Sequence, residues 1–216
     1  ELAGQEFAPL SVMLVERTKP VFCRQSRTCG IPDDEFIRGE VPMTKQEVRS
    51  VILSRLAVRE TDTLWDIGAG TGSVAVECAL AARWGRVWAI EQAPKAWELL
   101  GQNKEKFGVY NLNTVEGMAP DACRNLPAPD AAFIGGSKGK LEEILHLLLE
   151  KNPKVRVAIS AVTLETMYRG LTLLEALGFE QVEAVQLWVS RTQKSGANHL
   201  LRAQNPVFVI SGVGHG

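Results

Sequence analysis

The sequence predicts an α/β fold on a seven-stranded, mostly parallel sheet with an antiparallel last strand. Three observations carry that expectation. From residue 30 onward, short apolar runs alternate with stretches of helical periodicity. The last two strand-like runs have no helical pattern between them, so they are expected to pair antiparallel. A glycine turn in LWDIGAGTGSVAVE joins a strand to a helix, as in the first βα unit of nucleotide-binding folds. Alternation of this kind makes βαβ units, which bury a parallel sheet under helices on both faces.

The elements follow in order. TKQEVRSVILSRLAV (44–58) sets Val48, Val51, Ile52 and Leu56 on one helical stripe, and Thr44 with Glu47 reads as a capping box. DTLWDIG is a short buried strand, SVAVECALAARW (73–84) a helix and GRVWAIE a strand. APKAWELLGQNKEKFG is a helix with Pro94 near its first turn. LNTVEG and DAAFIGG are strands. KLEEILHLLLEKN is a helix with Leu141, Ile144, Leu145 and Leu148 on one face. VRVAISA is a strand, and LETMYRGLTLLEALGF is a helix closed by Gly178. QVEAVQLWVSRT (181–192) and NPVFVISG (205–212) are the last strands. Their connection, 194–205, is polar and carries Lys194, His199 and Arg202.

A chain of 216 residues, 45% hydrophobic and 23% charged, suits one domain with a self-sufficient core. The net charge of −1 offers no basic field for nucleic acid. No run approaches the ~18–20 apolar residues of a membrane span, and no signal peptide is visible. Cys23, Cys29, Cys78 and Cys123 form no Cys-x-x-Cys pair, and there are three histidines. The expectation is free thiols in a reducing cytoplasm and no metal site. The chain begins at Glu1; FAPLSVMLVE is strand-like, and RTKPVFCRQSRTCG reads as a linker. Residues 1–29 are therefore expected to be a preceding domain's tail and a linker, with the main domain over 30–216.

The first glycine loop is the most informative stretch. Gly68, Gly70 and Gly72 allow a tight turn and leave bare main chain for a ligand. Ala69 and Thr71 lie between them. Their spacing is G-x-G-x-G, not the G-x-G-x-x-G of dinucleotide sites. Asp66, two residues before Gly68, would repel a pyrophosphate but suits a ligand with a cationic end. Glu91 ends the next strand, where a carboxylate can accept both hydroxyls of a ribose. The combination resembles motif I and the following acidic position of class I S-adenosylmethionine (SAM) methyltransferases. That resemblance implies a Rossmann-like fold and SAM as cofactor. An NAD site and a purely structural turn are the competing readings. In this fold VEGMAPDA, after the third strand, lies beside the adenine, so Gly117, Met118 and Ala119 are candidates to line its pocket. Many relatives carry an acid where Met118 stands; backbone or water would take its role here.

A second glycine turn, FIGGSKGKLEEIL, is not a P-loop: only three residues separate Gly135 from Gly139-Lys140, and Leu141 follows. It also lacks the Asn/Asp-Pro-Pro-Phe/Tyr signature of enzymes that methylate base or glutamine amines. With GIPDDEFIRGEVPMTKQEV and AISAVTLET, it closely resembles the decarboxylating precorrin-6B C15-methyltransferases of cobalamin biosynthesis, over about residues 30–212. In many bacteria such an enzyme is the C-terminal half of a bifunctional precorrin-6Y C5,15-methyltransferase. The resemblance implies methylation of carbon 15 of a tetrapyrrole and loss of carbon dioxide from the acetate on carbon 12. It also implies a homo-oligomer, typically a tetramer, and a fusion to a C5-methylating half whose tail is FAPLSVMLVE. SAM contacts carried over by the resemblance fall on Thr44, Gly68 to Gly72, Glu91 and Ala119. The family often has Gly-Pro-Thr where this chain has Pro42-Met43-Thr44.

Decarboxylation could use an acid, and PDDEF supplies Asp33, Asp34 and Glu35. One of them serves as acid or positions the ring; alternatively they cap or pair with cations. The acceptor's carboxylates need donors. Gly135 and Gly136 leave room for a flat macrocycle, and Ser137 with the following helix amides suits a carboxylate. Lys138, Lys140, Arg191, Lys194 and Arg202 are the candidate cations, unless they simply face solvent. Two other classes remain for comparison. One is a SAM methyltransferase for another small molecule or a protein carboxylate. The other is a non-catalytic subunit, against which the intact Asp66, glycines and Glu91 speak.

Overall fold

A computed structural model describes Val12 and residues 28–216. The expected tail and linker lie outside the described residues, apart from Val12, Thr28 and Cys29. The first half of the fold holds α1 (Gln46–Leu56), β1 (Thr63–Ile67), α2 (Ser73–Ala81), β2 (Arg86–Glu91), α3 (Pro94–Phe107) and β3 (Leu112–Glu116). The second half continues with β4 (Ala131–Ile134), α4 (Leu141–Lys151), β5 (Arg156–Ala161), α5 (Leu164–Ala176), β6 (Glu180–Leu187), β7 (Ser190–Ser195), β8 (Asn198–Ala203) and β9 (Val207–Val213). A 3₁₀ turn at Asp33–Glu35 precedes them.

Seven strands form one sheet in the order β3-β2-β1-β4-β5-β9-β6. The five strands from β3 to β5 pair in parallel, and β9 runs antiparallel to both β5 and β6. Each face carries its own core. Leu64 of β1 packs with Val48 and Ile52 of α1, Val76 of α2 and Leu100 of α3. Its neighbours Trp65 and Ile67 pack with Ile144 and Leu148 of α4 and Leu174 of α5. Helix ends are set by local chemistry. Pro94 opens α3, and Gly108 closes it at φ +62°. At the end of α5, Gly178 N–H reaches Glu175 O at 3.1 Å and Phe179 N–H reaches Leu174 O at 3.0 Å, a Schellman pair that Gly178 allows at φ +76°.

Three details differ from the sequence expectation. The Thr44–Glu47 capping box does not form, because Thr44 and Lys45 precede a helix that begins at Gln46. A distant carboxylate takes the role: Asp33 Oδ1 accepts Gln46 N–H at 2.9 Å. The strand expected over 181–192 breaks at Trp188 and Val189, so Glu180–Leu187 stays in the sheet while Ser190–Ser195 leaves it. The polar connection 194–205 contributes to a two-stranded arm, β7 paired antiparallel to β8 with Arg191 opposite Arg202. Polar composition suggested a loop; cross-strand pairing with an exposed face accommodates it equally well. No helix among the described residues is long and apolar enough to cross a membrane.

Candidate active site

Strand order reverses between β1 and β4, and an open α/β sheet presents its binding crevice at such a switch point. Both glycine turns open there, one after each strand. Gly68 N–H and Ala69 N–H bond Ile90 O at 3.0 and 3.1 Å, while Gly135 N–H bonds Ile67 O at 2.9 Å. The turns touch: a Cβ on Gly68 would stand 2.8 Å from Gly136 N and O, and Gly68 lies at φ +73°. Only glycine satisfies both demands. The two loops wall one cavity of about 960 Å³, at the upper end of ligand-site volumes.

Nine of the eleven expected cofactor residues line this cavity: Thr44, Gly68, Ala69, Gly70, Thr71, Glu91, Gly117, Met118 and Ala119. Glu91 is held before any ligand arrives. Its Oε1 accepts the amides of Gln92 and Ala93 at 2.8 and 2.7 Å, and its Oε2 accepts Gly70 N–H at 2.8 Å. A carboxylate has about four acceptor positions, so capacity remains for a hydroxyl. Asp66 and Gly72 stand behind the wall. Gly72, at φ +77°, caps α2 and packs against Leu100, whose side chain would overlap any Cβ there.

Asp66 is 1% exposed, and neither of its carboxylate oxygens makes a hydrogen bond. Burial, with the nearby Glu91 charge adding, pushes its pKa up to about 7; the Ala75 amide opposes this without a regular hydrogen bond. Thr71 Oγ1 is likewise buried without a partner. A buried carboxyl and a hydroxyl left unsatisfied beside a glycine cradle fit a ligand that brings positive charge and polar groups. They fit SAM, with its sulfonium and ammonium. A dinucleotide pyrophosphate would add anionic charge beside Asp66.

The cavity is also lined by Gly135, Gly136, Ser137 and Lys138, and by Ser160, Val162, Leu187, Val189, Gln204, Asn205 and Val207. Open space lies within 4 Å of the position a Gly136 Cβ would take. Lys138 holds an unusual backbone, φ +49°, in a turn closed by Lys140 N–H to Ser137 O at 2.9 Å. The sequence reading missed Gln204 and Asn205. β9 runs antiparallel, so its first residues reach the crevice: Phe208 pairs with Ala161 at the end of β5. Only strand direction and sheet order reveal that placement.

The remaining candidates lie elsewhere. Asp33 and Asp34 are not on the cavity wall; Asp34 is exposed, and Asp33 is engaged by Gln46, Arg49 and Arg191. Asp33 thus makes the cap and cation pairs that the alternative reading expected. Arg191, Lys194 and Arg202 belong to the β7–β8 arm and do not line the cavity. Arg191 is already taken by Glu47 and Asp33, and Lys140 lies 3.6 Å from Asp121. Of the expected cations, Lys138 alone reaches the wall; Lys45, not anticipated, also does. A second omission is Asn103 of α3. Its side chain bridges Ile37 N and O at 2.8 and 2.7 Å and Thr71 O at 2.9 Å, tying the first glycine loop to the IPDDEF segment.

Comparison with known proteins agrees with this geometry. Residues 35–213 match the family model described as the precorrin methyltransferase domain. A cobalt-precorrin-6B C(15)-methyltransferase (decarboxylating) from Salmonella typhimurium is 38% identical over 181 residues, covering 83% of this chain and 93% of the relative. The crystal structure of precorrin-6y C5,15-methyltransferase from Geobacter metallireducens superposes with a TM-score of 0.81 at 36% identity, covering 86% of this chain and 98% of that one. The C-terminal domain of precorrin-6Y C5,15-methyltransferase from Rhodobacter capsulatus superposes with a TM-score of 0.76 at 31% identity, covering 87% and 99%.

Proposed function

The chain belongs to the precorrin methyltransferase family, and from that premise we propose that it methylates carbon 15 of a precorrin and releases the carbon-12 acetate carboxyl as carbon dioxide, in cobalamin biosynthesis. The observation that carries the reading is the meeting of two glycine loops in one cavity, with Gly68 against Gly136. SAM, when bound, supplies an electrophilic methyl group. Thr44, Gly68 to Thr71, Glu91 and Gly117 to Ala119 would hold it, with buried Asp66 as counter-charge.

The protein's part is to orient and to exclude water. Glu91 is fixed by three amides, so it meets a ribose without reorganising. Gly136 lets a flat macrocycle approach the main chain. Ser137 and Lys138 offer donors to its side-chain carboxylates. Val162, Leu187, Val189 and Val207 add apolar lining that would strip water from the ring. Methyl transfer needs an electron-rich carbon, which the conjugated ring provides. The bond to the departing carboxyl leaves its electron pair in that same ring. Among the described residues, the titratable side chains on the wall are Lys45, Glu91 and Lys138; with Glu91 committed to backbone amides, the two lysines are the candidates to donate a proton.

The reading extends to a homotetramer in the cytoplasm, fused to a C5-methylating half. Exposed Trp188, Leu200 and Leu201, at 79%, 58% and 74%, support association through the arm. The similarity to an isolated C-terminal domain of a precorrin-6Y C5,15-methyltransferase supports the fusion. Incubation with SAM and precorrin intermediates, followed by mass spectrometry, tests the activity. The expected product has gained one methyl and lost carbon dioxide; neither change with any tetrapyrrole would refute it.

A further inference from the structure

Among the described residues, the ion pairs that join the β7–β8 arm to the rest of the molecule run through Arg191. Arg191, in β7, grips Glu47 of α1 with both ends of a fork, Nε to Oε1 at 3.0 Å and Nη2 to Oε2 at 2.6 Å. Its Nη2 also lies 3.0 Å from Asp33 Oδ2. The other oxygen, Asp33 Oδ1, accepts Gln46 N–H at 2.9 Å and Arg49 Nη1 at 2.9 Å. Arg49 Nη1 in turn donates to Thr44 O at 2.5 Å. Thr44 is on the cavity wall, and so are Val189 and Gln204, which flank the arm. A continuous chain of charge-assisted bonds therefore joins the base of the arm to the loop before α1.

The arm needs such a tether. Among the described residues, β7 and β8 pair only with each other, and every residue of β8 is exposed. A lone two-stranded hairpin is marginal in water. Bidentate arginine–carboxylate pairing is the ion-pair geometry that survives partial exposure best. The Arg191 guanidinium holds the Glu47 carboxyl below its ordinary range, so the pair stays charged at neutral pH.

The geometry points to Arg191, Glu47 and Asp33 as a latch that fixes the base of the arm as a wall of the acceptor half of the cavity. They are positioning residues for the tetrapyrrole, and none of the three lines the cavity. The assignment of the acceptor rests on the function proposed above. It gives Asp33 a role in reactivity without making it the acid.

The test compares the full chain with Arg191→Gln, Arg191→Lys and Glu47→Gln. Amide exchange over residues 187–207 reads the tether, calorimetry reads SAM affinity, and steady-state kinetics read tetrapyrrole KM and kcat. For Arg191→Gln and Glu47→Gln, exchange at the two ends of this segment should rise roughly tenfold. The kcat/KM for tetrapyrrole should fall by roughly tenfold or more, chiefly through KM. SAM affinity should fall at least about threefold less than tetrapyrrole kcat/KM, since Gly68 to Thr71, Glu91 and Gly117 to Ala119 are untouched and Thr44 is reached only through Asp33 and Arg49. Arg191→Lys should fall between, keeping the charge but losing the fork. Unchanged exchange with reduced kcat/KM would make Arg191 a direct substrate contact and overturn the latch. Parallel loss of SAM affinity would overturn it too. If the parent protein converts no tetrapyrrole, the function fails separately; the latch then stands or falls on the exchange of the two glutamine variants.

Discussion

Asp66 is the residue whose state depends most on what occupies the cavity. Its pKa in the folded protein is raised to about 7 by burial. The folded protein therefore keeps a proton that the unfolded chain releases near pH ~4. Ligand-free stability should fall as pH rises from about 4 to about 7, by up to roughly 4 kcal/mol of opposing free energy. A cationic ligand reverses the balance by favouring the carboxylate. SAM affinity should then rise as pH rises through about 7, with a proton released on binding below that value. Calorimetry in buffers of different ionisation heat would detect that proton. Asp66→Asn should abolish both the pH dependence and the proton release; a flat affinity profile in the unsubstituted protein would contradict the assignment. At this scale the spacing was informative. Asp66, Gly68 and Glu91 follow one another through a single βαβ unit, so short-range pattern suffices. Asn103 was not legible, because it acts on Ile37, 66 residues away, and nothing local marks it.

Among the elements, α1 and the segment before it depend on one buried cation. Arg49 is 0% exposed and meets Glu77 at 2.7 Å, Asp33 at 2.9 Å and the carbonyls of Thr44 and Ile31. Glu77 also accepts Gly30 N–H at 2.6 Å and Ile31 N–H at 3.0 Å, so the pair pins the IPDDEF segment across α1 and α2. Arg49→Met would leave the Glu77 and Asp33 carboxylates short of a partner. The expected loss is about 3–5 kcal/mol in urea unfolding; a change below about 1 kcal/mol would show that the network relaxes freely. Periodicity located α1 to within two residues of its start and end, because an apolar stripe is a property of the helix alone. Its cap was misassigned because Asp33 reaches Gln46 through the tertiary fold. The β7–β8 arm was missed for a related reason: its strands are polar, short and exposed, so they show none of the alternation that marks a half-buried strand.

For the whole molecule, topology does what no single motif could. Strand order brings the turns after β1 and β4 side by side, although 67 residues separate their paired carboxylate and aromatic partners, Asp66 and Phe133. Glycine on both sides then lets the backbones touch, and one cavity results. The βαβ order was readable from alternation alone, and an open α/β sheet places the turns after its strands at one carboxyl edge. The far wall, from Leu187 to Val207, was not, because it depends on β9 turning antiparallel and on the arm returning to the crevice. The central claim is that the first loop holds SAM and the second faces the acceptor. Gly136→Val tests it most directly, since a Cβ there meets only open cavity and its φ is unstrained. Calorimetric SAM affinity and tetrapyrrole turnover, measured on the same variant, should diverge: affinity within about twofold of the parent, turnover lower by roughly a hundredfold or more. Equal loss of both, or full turnover with valine in place, would contradict it.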